Sequence, residues 1–500
     1  MKKILALLAL SGLVFVSCSD DDDATTPPVE PPIVDFTSGT ADFSTYVSVG
    51  NSLTAGFSDA ALFADGQTAS LPNMLASNFA LVGGGTFNIP FMADNLGGAT
   101  FMGQPTLENR LILSFASGSP APVRIEGTGT TEITNVLSGP FNNMGVPGAK
   151  SYQLLAPGFG NLAGVPVQQA NPYFARFASS PTASVIGDAV AQNPTFFSLW
   201  IGNNDILGYA TDGGSGVDHN ETMNTDPATY GGSDITNNTV FAGVYQTLLE
   251  ALTAGGAGGV VANIPDVTSI PFFTTVPYNA IPLDAATATA LNSNPLFLQY
   301  NGGLLVAQGM DLIDADEVAQ RTITFQEGQN AMLMIDEDVT DLSGLGLPNF
   351  RQTAPDDLIV FTAQLVIGTL ANPDDPTSIN GVAVPLADQW VLTPEEQLVV
   401  SNAVASYNQT IGDLATQFDL AFVDANALLD VVAQTGVSLS DGSTITSTFG
   451  TGGGFSLDGV HPSPRGYALL ANLFVEAINA KYGSNLPGVE PLDFTGLYIN

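Results

Sequence analysis

Four short runs of nearly uninterrupted apolar character punctuate the chain, at Tyr46–Val49, Thr195–Ile201, Gly259–Ile264 and Leu420–Val423. Runs this short, apolar on both alternating faces, predict strands buried from both sides. Helical spacing fills the ground between them. Phe241, Val244, Tyr245, Leu248, Leu249 and Leu252 keep the three-four spacing of one helix face, and Gly255-Gly256 stops that helix just ahead of the third run. Thr393-Pro394-Glu395-Glu396 joins a capping box to a proline at the first helical position, and predicts a helix to about Phe418 that leads into the fourth run. Ser463-Pro464 opens a further helix with Leu469, Leu470, Leu473, Phe474, Ala477 and Ile478 on its apolar face and Gly483 beyond its end. Alternation of this kind predicts an α/β fold, a mostly parallel sheet covered on both sides by helices. The stretches near 82–140, 206–236 and 280–390 break the alternation and read as large insertions. The last is long enough for a cap or small subdomain, with strand-like pieces at Thr322–Phe325 and Ala331–Ile335. No internal repeat is visible.

The first residues follow a different logic. Lys2 and Lys3 precede the apolar stretch Ile4–Val16, and Ser17-Cys18 follow it, the layout of a signal peptide. The apolar stretch is too short to span a bilayer comfortably. Cys18 is the only cysteine, so no disulfide can form within the chain. A cysteine at this point resembles a bacterial lipoprotein signal, in which it is lipidated and becomes the new N-terminus. Phe15 and Val16 stand where such signals usually carry Leu and a small residue. The acidic run Asp20–Asp23 resembles the surface-export signal of lipoproteins of the Bacteroidetes group. These resemblances imply an exported protein, lipid-anchored at the outer membrane and facing the cell exterior, whose only membrane contact is its anchor. The expected organisation is a signal peptide over 1–18, an acidic and Pro/Thr-rich extended tether over 19–41, a folded domain over 42–486 with its insertion around 280–390, and a C-terminal tail over 487–500.

Charge narrows the partners. Ten Lys plus Arg face 48 Asp plus Glu. A nucleic-acid partner would need a basic stripe, and an anionic membrane surface would repel the body. The acidity reads as solubility, with loop-borne calcium sites as the functional alternative; the usual twelve-residue calcium loop is absent, and no metal is assigned. Histidine narrows the chemistry further, because the chain has two. A cage of histidines around a metal is therefore excluded, and a neutral-pH base must be sought in two places.

His461 lies in Leu457-Asp458-Gly459-Val460-His461-Pro462. In a loop closed by Gly459 and Pro462, a three-residue spacing lets the Asp458 carboxylate bond one imidazole nitrogen and aim the other outward as a base. His219, in Asp218-His219-Asn220 within a Gly/Asp/Asn-rich stretch, reads as an exposed loop histidine. Ser52 follows the first apolar run directly, in Gly50-Asn51-Ser52-Leu53-Thr54-Ala55-Gly56, where ligands of open parallel sheets bind. Backbone or amide donors for an oxyanion could come from the Gly-rich turn Asn142–Ala149 or from Gly202-Asn203-Asn204-Asp205 at the end of the second run.

Taken in order, Gly50–Leu53, Gly145–Ala149, Gly202–Asp205 and Asp458–Pro462 resemble the four blocks of the SGNH (GDSL-type) serine hydrolases, over a span from about Tyr46 to Tyr482. The resemblance implies a three-layer α/β/α sandwich that cleaves carboxylic esters through an acyl-serine intermediate, with neither metal nor organic cofactor. It implies Ser52 as nucleophile, His461 as base, Asp458 as its orienting acid, and an oxyanion hole of the Ser52 and Gly148 N–H groups and the Asn204 side chain. One departure is Asn51, where the family usually has Asp. The Gly-x-Ser-x-Gly turn that marks the neighbouring α/β-hydrolases is absent from the sequence. The alternative is a non-catalytic glycan- or lipid-binding surface lipoprotein on the same fold, and the 280–390 insertion could dock an outer-membrane partner. Lipid, acyl and acetyl-sugar esters all stand open as substrates. A long-chain enzyme would need an apolar groove, for which Leu304–Leu312 and Leu358–Leu370 are candidates, with ordinary core as their plainer role.

Overall fold

The structure, a computed structural model, describes residues 35–116 and 120–499. Cys18, the signal peptide and most of the tether lie outside the described residues. Among those described, no helix is long and apolar enough to cross a membrane.

A mixed α/β unit spans Phe36–Asn500. Its centre is an all-parallel five-stranded sheet of β1 (Tyr46–Gly50), β2 (Asn143–Gly145), β3 (Phe196–Trp200), β4 (Gly258–Ala262) and β5 (Ala421–Val423), in the order β5-β4-β3-β1-β2. Side chains alternate across a strand, and the alternation sorts two cores. Val47, Val49, Phe197, Leu199 and Val261 enter one apolar cluster. Tyr46, Phe196, Trp200, Val260, Ala262 and Val423 enter another on the opposite face.

Helices contribute to both clusters for reasons already present in the sequence. The elements that matter are α1 (Ser52–Ala55), α2 (Leu71–Ala80), α3 (Val185–Val190), α4 (Asn204–Thr211), α5 (Asn238–Thr253), α6 (Pro394–Gln417), α7 (Ala425–Gln434) and α8 (Pro464–Tyr482). Phe241, Tyr245, Leu248 and Leu252 of α5 pack in the first cluster with Val400, Tyr407 and Ile411 of α6. Leu71, Leu75 and Phe79 of α2 pack in the second with Tyr467, Phe474 and Ile478 of α8. The capping box of α6 forms, with Thr393 N–H donating to Glu396 Oε2 at 2.7 Å and Glu396 N–H to Thr393 Oγ1 at 3.4 Å. Ser463 caps α8 through its hydroxyl, which accepts from Gly466 N–H at 3.0 Å, and Gly483 ends the helix at φ 67°.

The order of strands positions the site. From β1 the chain crosses to β2 on one side and then to β3 on the other, so the loops leaving β1 and β3 diverge. That divergence opens the crevice in which doubly wound sheets bind ligands. Ser52 leaves β1 there, and Asn204 leaves β3.

Several expectations need correction. Asn143–Gly145, read as part of a Gly-rich turn, is edge strand β2, paired with Ser48–Gly50. Gly145 is required because a Cβ there would lie 2.3 Å from Ala55 N. Thr322–Phe325 is not a strand: Ile323 N–H donates to Asn301 Oδ1 and Phe325 N–H to Asn292 Oδ1, both at 2.9 Å, so side-chain amides take the place of a ladder. Strand Leu333–Ile335 does form within the other piece. The 206–236 stretch opens inside α4 rather than as an irregular insertion.

The 280–390 excursion holds helices and two-stranded ladders, and its Phe297, Tyr300, Leu304 and Phe325 share the first core cluster. Packing also begins ahead of Asp42, since Thr40 N–H donates to Tyr482 O at 2.8 Å and Ala41 is buried. The last residues are held as well: Val489 N–H donates to Asn472 Oδ1 at 2.6 Å and Leu113 N–H to Tyr498 O at 3.2 Å.

Candidate active site

Gly50 ends β1 where a Cβ would sit 2.3 Å from Trp200 O, so the strand turns at a residue with no side chain. Asn51 then caps α1, its Oδ1 accepting from Leu53 N–H at 3.0 Å. Its Nδ2 donates to Asn203 Oδ1 at 3.2 Å, which ties the β1 exit to the β3 exit. Ser52 is the first residue of α1. Its N–H makes no hydrogen bond among the described residues, as expected of the first turn of a helix.

Asp458 and His461 lie in the loop ahead of α8. His461 Nε2 is 2.9 Å from Ser52 Oγ, and His461 Nδ1 is 2.9 Å from Asp458 Oδ2. A carboxylate at Nδ1 holds the imidazole proton there and leaves the Nε2 lone pair facing the serine hydroxyl. Asp458 Oδ1 also accepts from Val460 N–H and His461 N–H at 2.8 Å and from Ser456 Oγ at 3.0 Å, while Oδ2 accepts from Ala60 N–H at 2.8 Å. Burial opposes the charge of Asp458, but His461 and these donors outweigh it and hold the carboxyl at about 2. The Phe57 ring, 4.7 Å from the His461 ring, closes one side of the imidazole.

Gly148 and Asn204 are bound to each other's loops. Asn204 Nδ2 donates to Ala149 O at 2.9 Å; an amide NH₂ carries two protons, so one remains for a ligand. Asp205, buried next to it, accepts from Ser151 N–H at 2.8 Å and Ser151 Oγ at 2.7 Å. Asn171 Nδ2 donates to Pro147 O at 2.8 Å. Gly148, between these tethers, is exposed at φ 79°, and its N–H makes no hydrogen bond among the described residues. A narrow cavity of about 110 Å³ opens beside Ser52, Asn204 and His461. Its walls are apolar: Leu53, Trp200, Leu207, Val267, Ile270, Leu428, Leu429, Val432, Leu469 and Leu470. Gly148 lines a second depression with Tyr152, Gln153 and Asn171 rather than this cavity. Neither Leu304–Leu312 nor Leu358–Leu370 contributes to it.

His219 is buried, which corrects its reading as an exposed loop residue. Its Nε2 lies 2.8 Å from Asp234 Oδ2, its Nδ1 3.2 Å from Thr222 Oγ1, and its ring stacks on Tyr230 at 3.9 Å. It braces the loop ahead of α5 and has no part in the Ser52 site.

Asp59 was missed. It follows α1 and is 1% exposed. Its Oδ1 accepts from Leu457 N–H at 2.9 Å, and its own N–H donates to Ser456 Oγ at 2.9 Å, so it clamps the Asp458 loop to α1. Its Oδ2 is buried without a partner, and burial first, then the neighbouring Asp458 charge, push its carboxyl up to about 7. A folded-state value above the unfolded one gives stability that is fully present below about 4 and is lost as pH rises toward 7. Asp59→Asn keeps a side chain tolerant of the left-handed backbone at φ 51°. The expected result is that wild type loses more stability between pH 4 and pH 8 than this variant, by on the order of 2–4 kcal/mol. Urea unfolding at the two pH values measures it, and equal losses would contradict the assignment.

No family model, no curated protein and no solved structure matches this chain. The functional reading therefore rests on the geometry of the site and on the resemblance of its four sequence blocks.

Proposed function

We propose that this protein is a serine hydrolase of carboxylic esters, an SGNH-type three-layer α/β/α sandwich, and that it prefers apolar acyl chains. The observation that carries the reading is the continuous relay from Asp458 through His461 to Ser52, with both links at 2.9 Å. Ser52 meets an acid and base that lie about 400 residues further along the chain, in the order acid, base and nucleophile that acyl transfer needs.

In the proposed reaction His461 Nε2 takes the Ser52 hydroxyl proton as Oγ attacks the ester carbonyl. Asp458 stabilises the imidazolium. The Ser52 N–H and the spare Asn204 amide proton are the oxyanion donors beside the cavity, and the family resemblance adds the Gly148 N–H, which lines the second depression. His461 passes its proton to the departing alkoxide, leaving acyl-Ser52. Water, deprotonated by His461, then releases the acid and restores the hydroxyl. Asn51, neutral where the family usually has a carboxylate, keeps the cap of α1 and the link to Asn203. The acidic N-terminal stretch and Cys18 support an exported, lipid-anchored protein.

The apolar cavity favours acyl chains over acetyl groups, because each methylene it buries is worth about 0.8 kcal/mol. The expected result on p-nitrophenyl esters is a kcat/KM about tenfold or more higher for butyrate than for acetate. A maximum at acetate with a steady fall thereafter would point instead to deacetylation.

A further inference from the structure

Among the described residues, one grouping of carboxylates lies close enough to share an ion, and it is remote in sequence from the Ser52 motifs. Glu337 follows strand Leu333–Ile335, Asp388 opens the turn Asp388–Trp390, and Glu396 stands in the first turn of α6. One carboxylate oxygen from each falls within 4.8 Å of the others. None of the three forms an ion pair with a lysine or arginine among the described residues.

Two of the acids are each held through one oxygen. Ser215 Oγ donates to Asp388 Oδ2 at 2.8 Å, and Thr393 N–H holds Glu396 Oε2 at 2.7 Å. The remaining oxygens, Asp388 Oδ1 and Glu396 Oε1, are buried and accept no hydrogen bond. Glu396 is 5% exposed as a whole. A buried carboxylate oxygen without a donor costs several kcal/mol unless a proton or a cation meets it. The backbone here is shaped around it as well: Gly214 has φ 79°, and a Cβ there would lie 1.8 Å from Glu396 Oε1.

We infer that Glu337, Asp388 and Glu396 form a calcium site that binds the 213–215 turn and the 337 and 388 loops to the start of α6. An all-oxygen set with no histidine or cysteine selects a hard cation. Carboxylates from two separate loop segments and the start of a helix, open on the Glu337 side, suit the six to eight ligands and flexible geometry of calcium better than the strict octahedron of magnesium. The site would act structurally. The 213–215 turn follows α4, whose first residue is Asn204, so the cation would brace the helix that carries that side chain.

The test is titration of CaCl₂ into the purified, EDTA-stripped protein by calorimetry, with thermal unfolding alongside. Glu396→Gln is the first variant, since Gln also serves in a capping box and the helix should persist. Asp388→Asn is the second, and Glu476→Gln, exposed on α8, is the control for diffuse binding to an acidic surface. The inference predicts one saturable submillimolar site and a midpoint about 3 °C higher at hundredfold excess of calcium over its dissociation constant. Glu396→Gln and Asp388→Asn should each weaken binding at least tenfold, and the control should not. Absence of saturable binding, or an isotherm that neither site variant alters, would overturn it and leave the cluster to shared protons.

Discussion

Ser52→Ala will lower kcat on any accepted ester by about 10⁴–10⁶-fold, and will abolish covalent capture of the site by a fluorophosphonate. The size of the effect follows from position. Ser52 Oγ is the atom that His461 Nε2 faces, so an alanine leaves the base with no hydroxyl to deprotonate. The fold should not notice. The Oγ makes its hydrogen bond to His461 alone, and His461 borders an open cavity where water can take over that bond. The expected change in stability is about 1 kcal/mol or less. Paired initial rates and urea midpoints for wild type and variant measure both halves. Retention of wild-type turnover would remove Ser52 from the mechanism.

Asp458→Asn has the next largest expected effect, and it separates orientation from folding. The carboxylate accepts from Ala60 N–H, Val460 N–H, His461 N–H, Ser456 Oγ and His461 Nδ1. An asparagine can keep its oxygen on the Oδ1 side, facing Val460, His461 N–H and Ser456. Its NH₂ then faces Ala60 N–H and His461 Nδ1, both donors in wild type. Ala60 loses its acceptor, at a cost of about 1–3 kcal/mol. His461 must move its proton from Nδ1 to Nε2 to accept from the new amide, and the base facing Ser52 is lost. The expected fall in kcat is about 10⁴-fold. Wild type should also lose stability below pH 4 as its carboxyl, held at about 2, is protonated, a loss from which the asparagine variant is free. Rates within tenfold of wild type would mean that Asp458 only holds the loop.

The central sheet was legible because its strands are buried on both faces. Tyr46–Val49 and Gly259–Ile264 carry almost no polar residue to betray a solvent side, and Gly255-Gly256 and Thr393-Pro394 mark the helix ends beside them. Strand β2 was not legible. It is three residues long, two of them Asn and Gly, and it owes its place to pairing with β1 and to the close approach of α1 at Gly145. Thr322–Phe325 has a strand's apolar alternation, yet the amides of Asn292 and Asn301 reach its backbone first. A local pattern cannot report such tertiary competition.

The site divides in the same way. Asp458 and His461 could be paired on paper because three residues separate them. Asp59 could not, since its partner Leu457 is 398 residues away and Ser58-Asp59-Ala60 carries no signal of its own. His219 misled because a Gly/Asp/Asn-rich stretch reads as solvated, whereas Asp234 and Tyr230 enclose the ring. The apolar walls of the cavity come mostly from α7, α8 and the loop after β4, joined by Leu53, Trp200 and Leu207, so neither apolar stretch of the 280–390 region was the place to look.

The most direct measurement is mass spectrometry of the protein after reaction with a fluorophosphonate, intact and then as peptides. A nucleophile activated by His461 should take one phosphonyl group, located on Ser52, with wild type labelled and Ser52→Ala and His461→Ala unlabelled. Stoichiometric label on a different residue, or none on wild type that still hydrolyses esters, would contradict the assignment of Ser52 as the acyl-accepting serine.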